Sequence, residues 1–191
     1  MAVTDTEKYI KQHIERVYKH LQAFAAILEN RGRVHDASKL QEPELSMWKK
    51  MDEEPRYKFG TPEYIDKMKR WKAVFDHHYK CNRHHPEHFE FGIQDMNLVD
   101  IVELLADWIG YKDKISYSEA SKMIESQCKR FGIENDVLRD VLMNTLNDFF
   151  IYFGIEDDRI DFNKIDAYEI KNGIFKHKTF KKDSNNIDIE A

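Results

Sequence analysis

Apolar residues recur at helical spacing along most of this 191-residue chain, and that period leaves little room for any fold but an all-α one. Ile10, Ile14, Val17, Leu21, Ala25 and Leu28 predict a first helix over roughly residues 7–29, stopped by Gly32. Thr4 and Glu7 have the spacing of a capping box, which satisfies N–H groups that a helix start leaves open. A short helix follows over about 36–50, then a polar connection containing Pro55. Thr61-Pro62 reads as N-cap and first-turn proline of a helix running to about Lys80. A loop holds residues 82–92. Beyond it come a helix over 97–112, one capped near Ser118 and ending at Gly132, and one over 137–153. The last carries Leu138, Val141, Leu142, Leu146, Phe149 and Phe153 on one side. After Gly154 the pattern changes, with 9 acids, 7 bases and no long periodic segment in 155–191. The expected organisation is a helical domain over 1–153 and an irregular C-terminal arm over 154–191. Within the arm, 175–182 reads as a short strand or a docked segment, and 183–191 as a frayed end.

Composition narrows the function classes. At 41% hydrophobic residues the chain is too apolar for disorder, and a net charge of −5 speaks against a duplex nucleic-acid partner. Cys81 and Cys128 form no closely spaced pair, so neither a disulfide framework nor a cysteine-based zinc ribbon is expected. The first residues are polar and acidic, unlike a signal peptide, and no apolar run approaches the ~18 residues of a membrane span. The expectation is a soluble cytoplasmic protein.

Histidine is the unusual residue. Of nine, five fall within the twelve residues 77–88. His84, His85 and His88 surround Pro86, and three imidazoles so close suit a borderline metal such as zinc, iron, manganese or cobalt; a solvated polar loop is the alternative. On the wheel of the Pro62 helix, His78 lies toward the apolar face and His77 nearly opposite. His35-Asp36-Ala37-Ser38-Lys39 places an imidazole beside a carboxylate able to bridge two ions, and sets a cation one turn on, where a phosphate oxygen would sit. His13 and His20, about 10.5 Å apart along a helix, cannot serve one ion together. Asp100, Glu103 and Asp107 form one acidic stripe on an otherwise apolar helix. Such a stripe is usually a solvent face; the alternative is that Asp107 turns toward the histidines.

The order His, His-Asp, His, His-His, Asp resembles that of the HD-domain superfamily of metal-dependent phosphohydrolases. His35-Asp36-Ala37-Ser38-Lys39 is similar to its HDxxK form, and Asp107 matches its distant closing aspartate. Together with Asn82-Arg83-His84-His85-Pro86-Glu87, these residues look like an uncharacterised bacterial and phage branch, over about residues 8–113. The resemblance implies an HD-domain-like helical bundle in a bacterial or phage-infected host cytoplasm. It also implies one or two divalent ions (Mn, Co, Fe, Zn or Mg) that activate water against a nucleotide or related small phosphate ester. By the same resemblance His13, His35, Asp36 and Asp107 hold one ion, and His78, His84 and His85 a second bridged by Asp36; His20, His77 and His88 rank behind them. Asp36, Lys39 and Glu103 take catalytic roles, Glu103 by orienting a ligand histidine. Lys39, Lys80, Asn82 and Arg83 take the substrate. No membrane partner is expected, and a homo-oligomer is compatible. Two rivals use nearly the same residues: a mixed-valent di-iron oxygenase, and a non-catalytic metal- or nucleotide-binding protein.

Overall fold

The computed structural model describes residues 4–133, 136–153 and 159–161. The described residues are predominantly α-helical. In chain order the helices are α1 (Asp5–Val34), α2 (Glu44–Asp52), α3 (Pro62–Arg70), α4 (Lys72–Cys81), α5 (Leu98–Ile109), α6 (Tyr117–Arg130) and α7 (Asp136–Phe153). Two three-residue strands, β1 (Lys114–Ser116) and β2 (Arg159–Asp161), pair antiparallel with Ile115 opposite Ile160. No helix among the described residues is long and apolar enough to cross a membrane. The chain divides into two compact units, residues 1–104 and 105–191.

In the first unit the expected capping box is present: Thr4 Oγ1 accepts from the Glu7 N–H at 3.2 Å, and Glu7 Oε2 accepts from the Thr4 N–H at 2.7 Å. The helix continues through Gly32 to Val34. A single glycine costs a helix only about 1 kcal/mol, and Arg31 and Arg33 favour the negative end of the helix dipole. The chain turns instead at Asp36, whose φ of 54° is left-handed, a region that aspartate tolerates better than most residues. The single helix expected over 36–50 is two elements, a 3-10 turn at Ala37–Leu40 and α2. Pro43 lacks the N–H that would continue a helix, and it disfavours helical backbone in the residue before it. The helix expected from Pro62 to Lys80 is likewise broken at Trp71, whose backbone (φ −96°, ψ 13°) closes α3 and opens α4. α4 packs on α2 and on the 3-10 turn, with Val74 fully buried and Trp48 meeting Phe75 edge-on at 5.3 Å.

Lys67 on α3 is buried, and its ammonium donates to the carbonyls of Met51 (2.8 Å), Glu54 (3.3 Å) and Pro55 (3.3 Å). It thereby ties the end of α2 and the segment after it to α3. Lys67→Met keeps the stem but removes the ammonium from all three carbonyls, of which Met51 keeps a backbone N–H partner. It should lower the unfolding free energy by about 2 kcal/mol, the range for bonds from a charged donor, read by urea denaturation.

In the second unit α6 packs on α7, and Ile115, Ala120, Ile124, Leu142, Leu146, Phe150 and Ile160 are buried. The buried line of α7 therefore runs through Leu142, Leu146 and Phe150, while Val141, expected on that side, is exposed. The cap of α6 lies two residues earlier than expected. Ser116 and Glu119 form its capping box, and the Ser116 N–H and hydroxyl, with Lys112, hold the Glu119 carboxyl down to about 2. The expected boundary at 153/154 is not where the chain divides, because β2 returns to pair with β1 and ties the segment after α7 to that unit. Residues 175–182 and 183–191 lie outside the described residues.

Candidate metal centre

The site is built where α1 ends. The left-handed turn at Asp36 reverses the chain, and the Lys39 N–H closes on the Asp36 carbonyl at 2.9 Å. His78 comes from α4. His84 and His85 come from the segment after it, where Pro86 opens a 3-10 turn. Asp36, His78, His84 and His85 each offer one ligand atom, all within 4.8 Å of one another. His35, Asp36 and His84 satisfy the same limit, so Asp36 and His84 are common to two overlapping sets.

The facing atoms are the Nε2 nitrogens. His78 Nε2 is 2.9 Å from His85 Nε2 and 3.1 Å from Asp36 Oδ1, and His84 Nε2 is 3.5 Å from Asp36 Oδ1. Ligands about 2.1 Å from a shared ion and at right angles across it lie roughly 3 Å apart, so these spacings fit a cation. Asp36 Oδ1 is buried without a well-directed hydrogen bond, despite the nearby His78 nitrogen. A buried carboxylate oxygen in that condition is costly unless a cation meets it.

Carboxylates behind the rings set their orientation. His78 Nδ1 lies 3.0 Å from Glu44 Oε2, and donation there, with a metal bound, would leave the Nε2 lone pair facing the cluster. His35 Nδ1 donates to Glu103 Oε1 at 3.1 Å, and His84 Nδ1 lies 3.3 Å from the same oxygen. Glu103 is in turn held by Arg31 Nε at 2.6 Å. Asp100, fully buried, accepts from Arg31 Nη2 (3.0 Å) and Arg83 Nη2 (2.9 Å). Burial pushes the Asp36 carboxyl up, but bonds from His78 and Lys39 and the charges of Lys39 and His35 outweigh it and hold it well below the carboxylate range. Glu44 is likewise lowered: burial opposes, and bonds from His77, Ser38, Trp48 and His78 prevail.

Several expectations change here. Asp100 and Glu103 are not a solvent face; both are buried, because two guanidinium groups meet them. His13 does not join the cluster. It is exposed on α1, and unbroken helix separates it from His35 by about 33 Å at 1.5 Å per residue. His20 is exposed on the same helix. Arg83 is nearly half exposed and pairs with Asp100, while Asn82 is buried with its amide on Ser38 Oγ and the His78 carbonyl, which closes Asn82 to substrate. Lys80 is exposed at the end of α4. The Lys39 ammonium lies 2.6 Å from Asp36 Oδ2 and is part-exposed. His78 is buried, as the wheel predicts, while His77 is half-exposed with Nδ1 2.8 Å from Glu44 Oε1. His88 donates to the Tyr79 carbonyl at 3.0 Å. Asp107 is half-buried on the last turn of α5, in the second unit.

Glu44, Arg31 and Asp100 are the residues that sequence reasoning passed over as parts of a site. Arg31 at an apolar-stripe spacing and Asp100 on an apolar helix were faint signals; Glu44, in a polar stretch after Pro43, offered none. Glu44→Gln tests the orienting role. Its amide would donate to His78 Nδ1 and move the ring proton to Nε2, removing the ligand lone pair. Metal affinity should fall about 10- to 100-fold, read by competition with a chromophoric chelator, with the helical spectrum retained.

A family model described as a family of unknown function, DUF5662, matches residues 2–150. No curated protein and no solved structure matches the chain.

Proposed function

The chain belongs to DUF5662, a family of unknown function, so its chemistry must be read from its own side chains, and we propose that it is a metal-dependent phosphohydrolase acting on a nucleotide or related small phosphate ester. One observation carries the reading: Asp36, His78, His84 and His85 bring ligand atoms within 4.8 Å of one another. A lysine stands at the rim of that cluster. A divalent ion bound there would supply Lewis acidity toward a phosphoryl oxygen and lower the pKa of a water. His78, His84, His85 and Asp36 would hold it, and the overlapping set of His35, Asp36 and His84 would offer ligands to a second.

The protein's own contribution is placement. Glu44 and Glu103 keep the imidazole lone pairs on one point, so the ligands need little reorganisation when charge develops. Lys39 Nζ rests on the outer Asp36 oxygen, one turn away from the ligands, where its charge can meet a phosphoryl oxygen. Asp36 stays ionised at neutral pH, held down by His78 and Lys39 against its burial. A net charge of −5 suits a small anion gripped locally better than a polyanion spread over a basic face.

The test is metal analysis of the purified protein, followed by phosphate release from a nucleotide panel with Mn, Co, Mg and Fe. Bound metal with metal-dependent release of phosphate supports the reading. Iron with oxygen uptake and no phosphate release would replace it by an oxygenase. Bound metal without turnover of either kind would leave a binding protein.

A further inference from the structure

α1 has an apolar stripe that no part of the described chain covers. Along it Ile10, Ile14, Val17, Leu21, Phe24 and Leu28 alternate steps of four and three, the heptad spacing of a coiled coil. Not one residue of α1 is buried. Ile10, Ile14, Val17, Leu21 and Phe24, with the flanking Tyr18 and Ile27, are 42–61% exposed. A soluble monomer rarely leaves an apolar face of this length in water.

We propose that this stripe is the interface of a homodimer in which α1 pairs antiparallel with α1 of a second copy. Two observations select that occupant. The first is register. Antiparallel pairing about the middle of the stripe sets Ile10 opposite the partner's Leu28, Ile14 opposite the partner's Phe24, and Val17 opposite the partner's Leu21. Two of the three layers then join a larger or aromatic side chain to a smaller aliphatic one, the Ile10–Leu28 layer pairs side chains of equal size, and the two-fold axis makes the surface complementary to itself. The second is charge. Asp5 and Glu7 lie in the first turn of α1, and Arg33, exposed beside Glu29, in the last; Arg31 turns instead to Asp100 and Glu103. Antiparallel pairing brings acid to base at both ends, whereas parallel pairing would bring like to like. Between the ends, Lys11 is the one charged residue flanking the stripe.

The area is also sufficient. With roughly 100 Å² available from each of these seven side chains, each copy offers on the order of 700 Å², close to the ~800 Å² per partner of a stable interface.

Sedimentation equilibrium of the full chain should return twice the 22.9 kDa chain mass. The double variant Val17→Glu, Leu21→Glu should halve that mass while keeping its helical circular dichroism. Should that variant fail to fold, disulfide trapping in a Cys81→Ser background decides orientation. Ile10→Cys mixed with Leu28→Cys should give a cross-linked dimer, and Ile10→Cys alone should give none. A monomeric wild type overturns the proposal, including one whose α1 is protected from hydrogen exchange by another segment of its own chain. So does a glutamate variant that remains dimeric, or cross-linking of Ile10→Cys to itself.

Discussion

Asp36→Ala should strip the protein of metal and abolish turnover without unfolding it. Asp36 belongs to both overlapping ligand sets, and it is the only carboxylate in the set with His78, His84 and His85. Removing it leaves that set with imidazoles alone, with no anionic charge to offset a divalent ion. Metal-ion stabilisation of a transition state is worth several kcal/mol, so its loss should cost on the order of a thousandfold in rate. Alanine tolerates the left-handed backbone at this position less well than aspartate, at a cost of about 1–2 kcal/mol. Asp36→Asn separates the two effects, since it retains the shape and the tolerance of the turn while losing the charge. Both variants should show metal content near background by mass spectrometry and helical spectra like the wild type. Full phosphate release by either would remove the hydrolase reading.

Asp100→Ala should be the most destabilising single change in the first unit, by about 3 kcal/mol. Asp100 is fully buried and joins two arginines, and breaking such an arrangement from one side typically costs 3–5 kcal/mol. The lower end applies because Arg83 is nearly half exposed and Arg31 retains Glu103. The loss should also reach the metal. Arg31 braces Glu103, Glu103 orients His35, and a looser brace should weaken metal binding several-fold even where the variant is folded. The same carboxylates give stability a pH signature. Burial opposes ionisation of Asp100, but the bonds from Arg83, the Asn97 N–H and Arg31 hold its carboxyl below the ordinary range; Glu44 is lowered as well. A group lowered on folding stabilises the folded state above its unfolded pKa, and that stability is lost as pH falls toward its folded value. The unfolding free energy should therefore drop as pH is taken below about 4, and Asp100→Ala should flatten part of that drop.

Much of the local structure was legible because its causes are local. The Thr4–Glu7 cap, the Thr61-Pro62 start and the inward turn of His78 each depend on residues within a turn or two. The breaks were harder. Pro43 and Trp71 divide elements whose apolar spacing runs on without visible interruption, and the cap of α6 sits at Ser116, which has Glu119 three residues on, and not at Ser118, which has Ser121 there. The acidic stripe of α5 shows the limit most clearly. Asp100 and Glu103 have the spacing of a wetted face, and they are buried only because Arg31 and Arg83 approach from elsewhere in the chain.

By itself the sequence determined an all-α chain, a histidine-rich segment beside a helix end, and a carboxylate–lysine pair one turn apart. The tertiary structure alone decided which of these meet. It gathered His78, His84 and His85 on Asp36, supplied Glu44 and Glu103 behind the rings, and left His13 in solvent at the far end of α1. The physical reason is the range of the interactions. Helical periodicity is written within a few residues, whereas the ligand cluster joins Asp36 to histidines 42 to 49 positions further on, through backbone turns at Asp36 and Trp71 that apolar spacing does not encode.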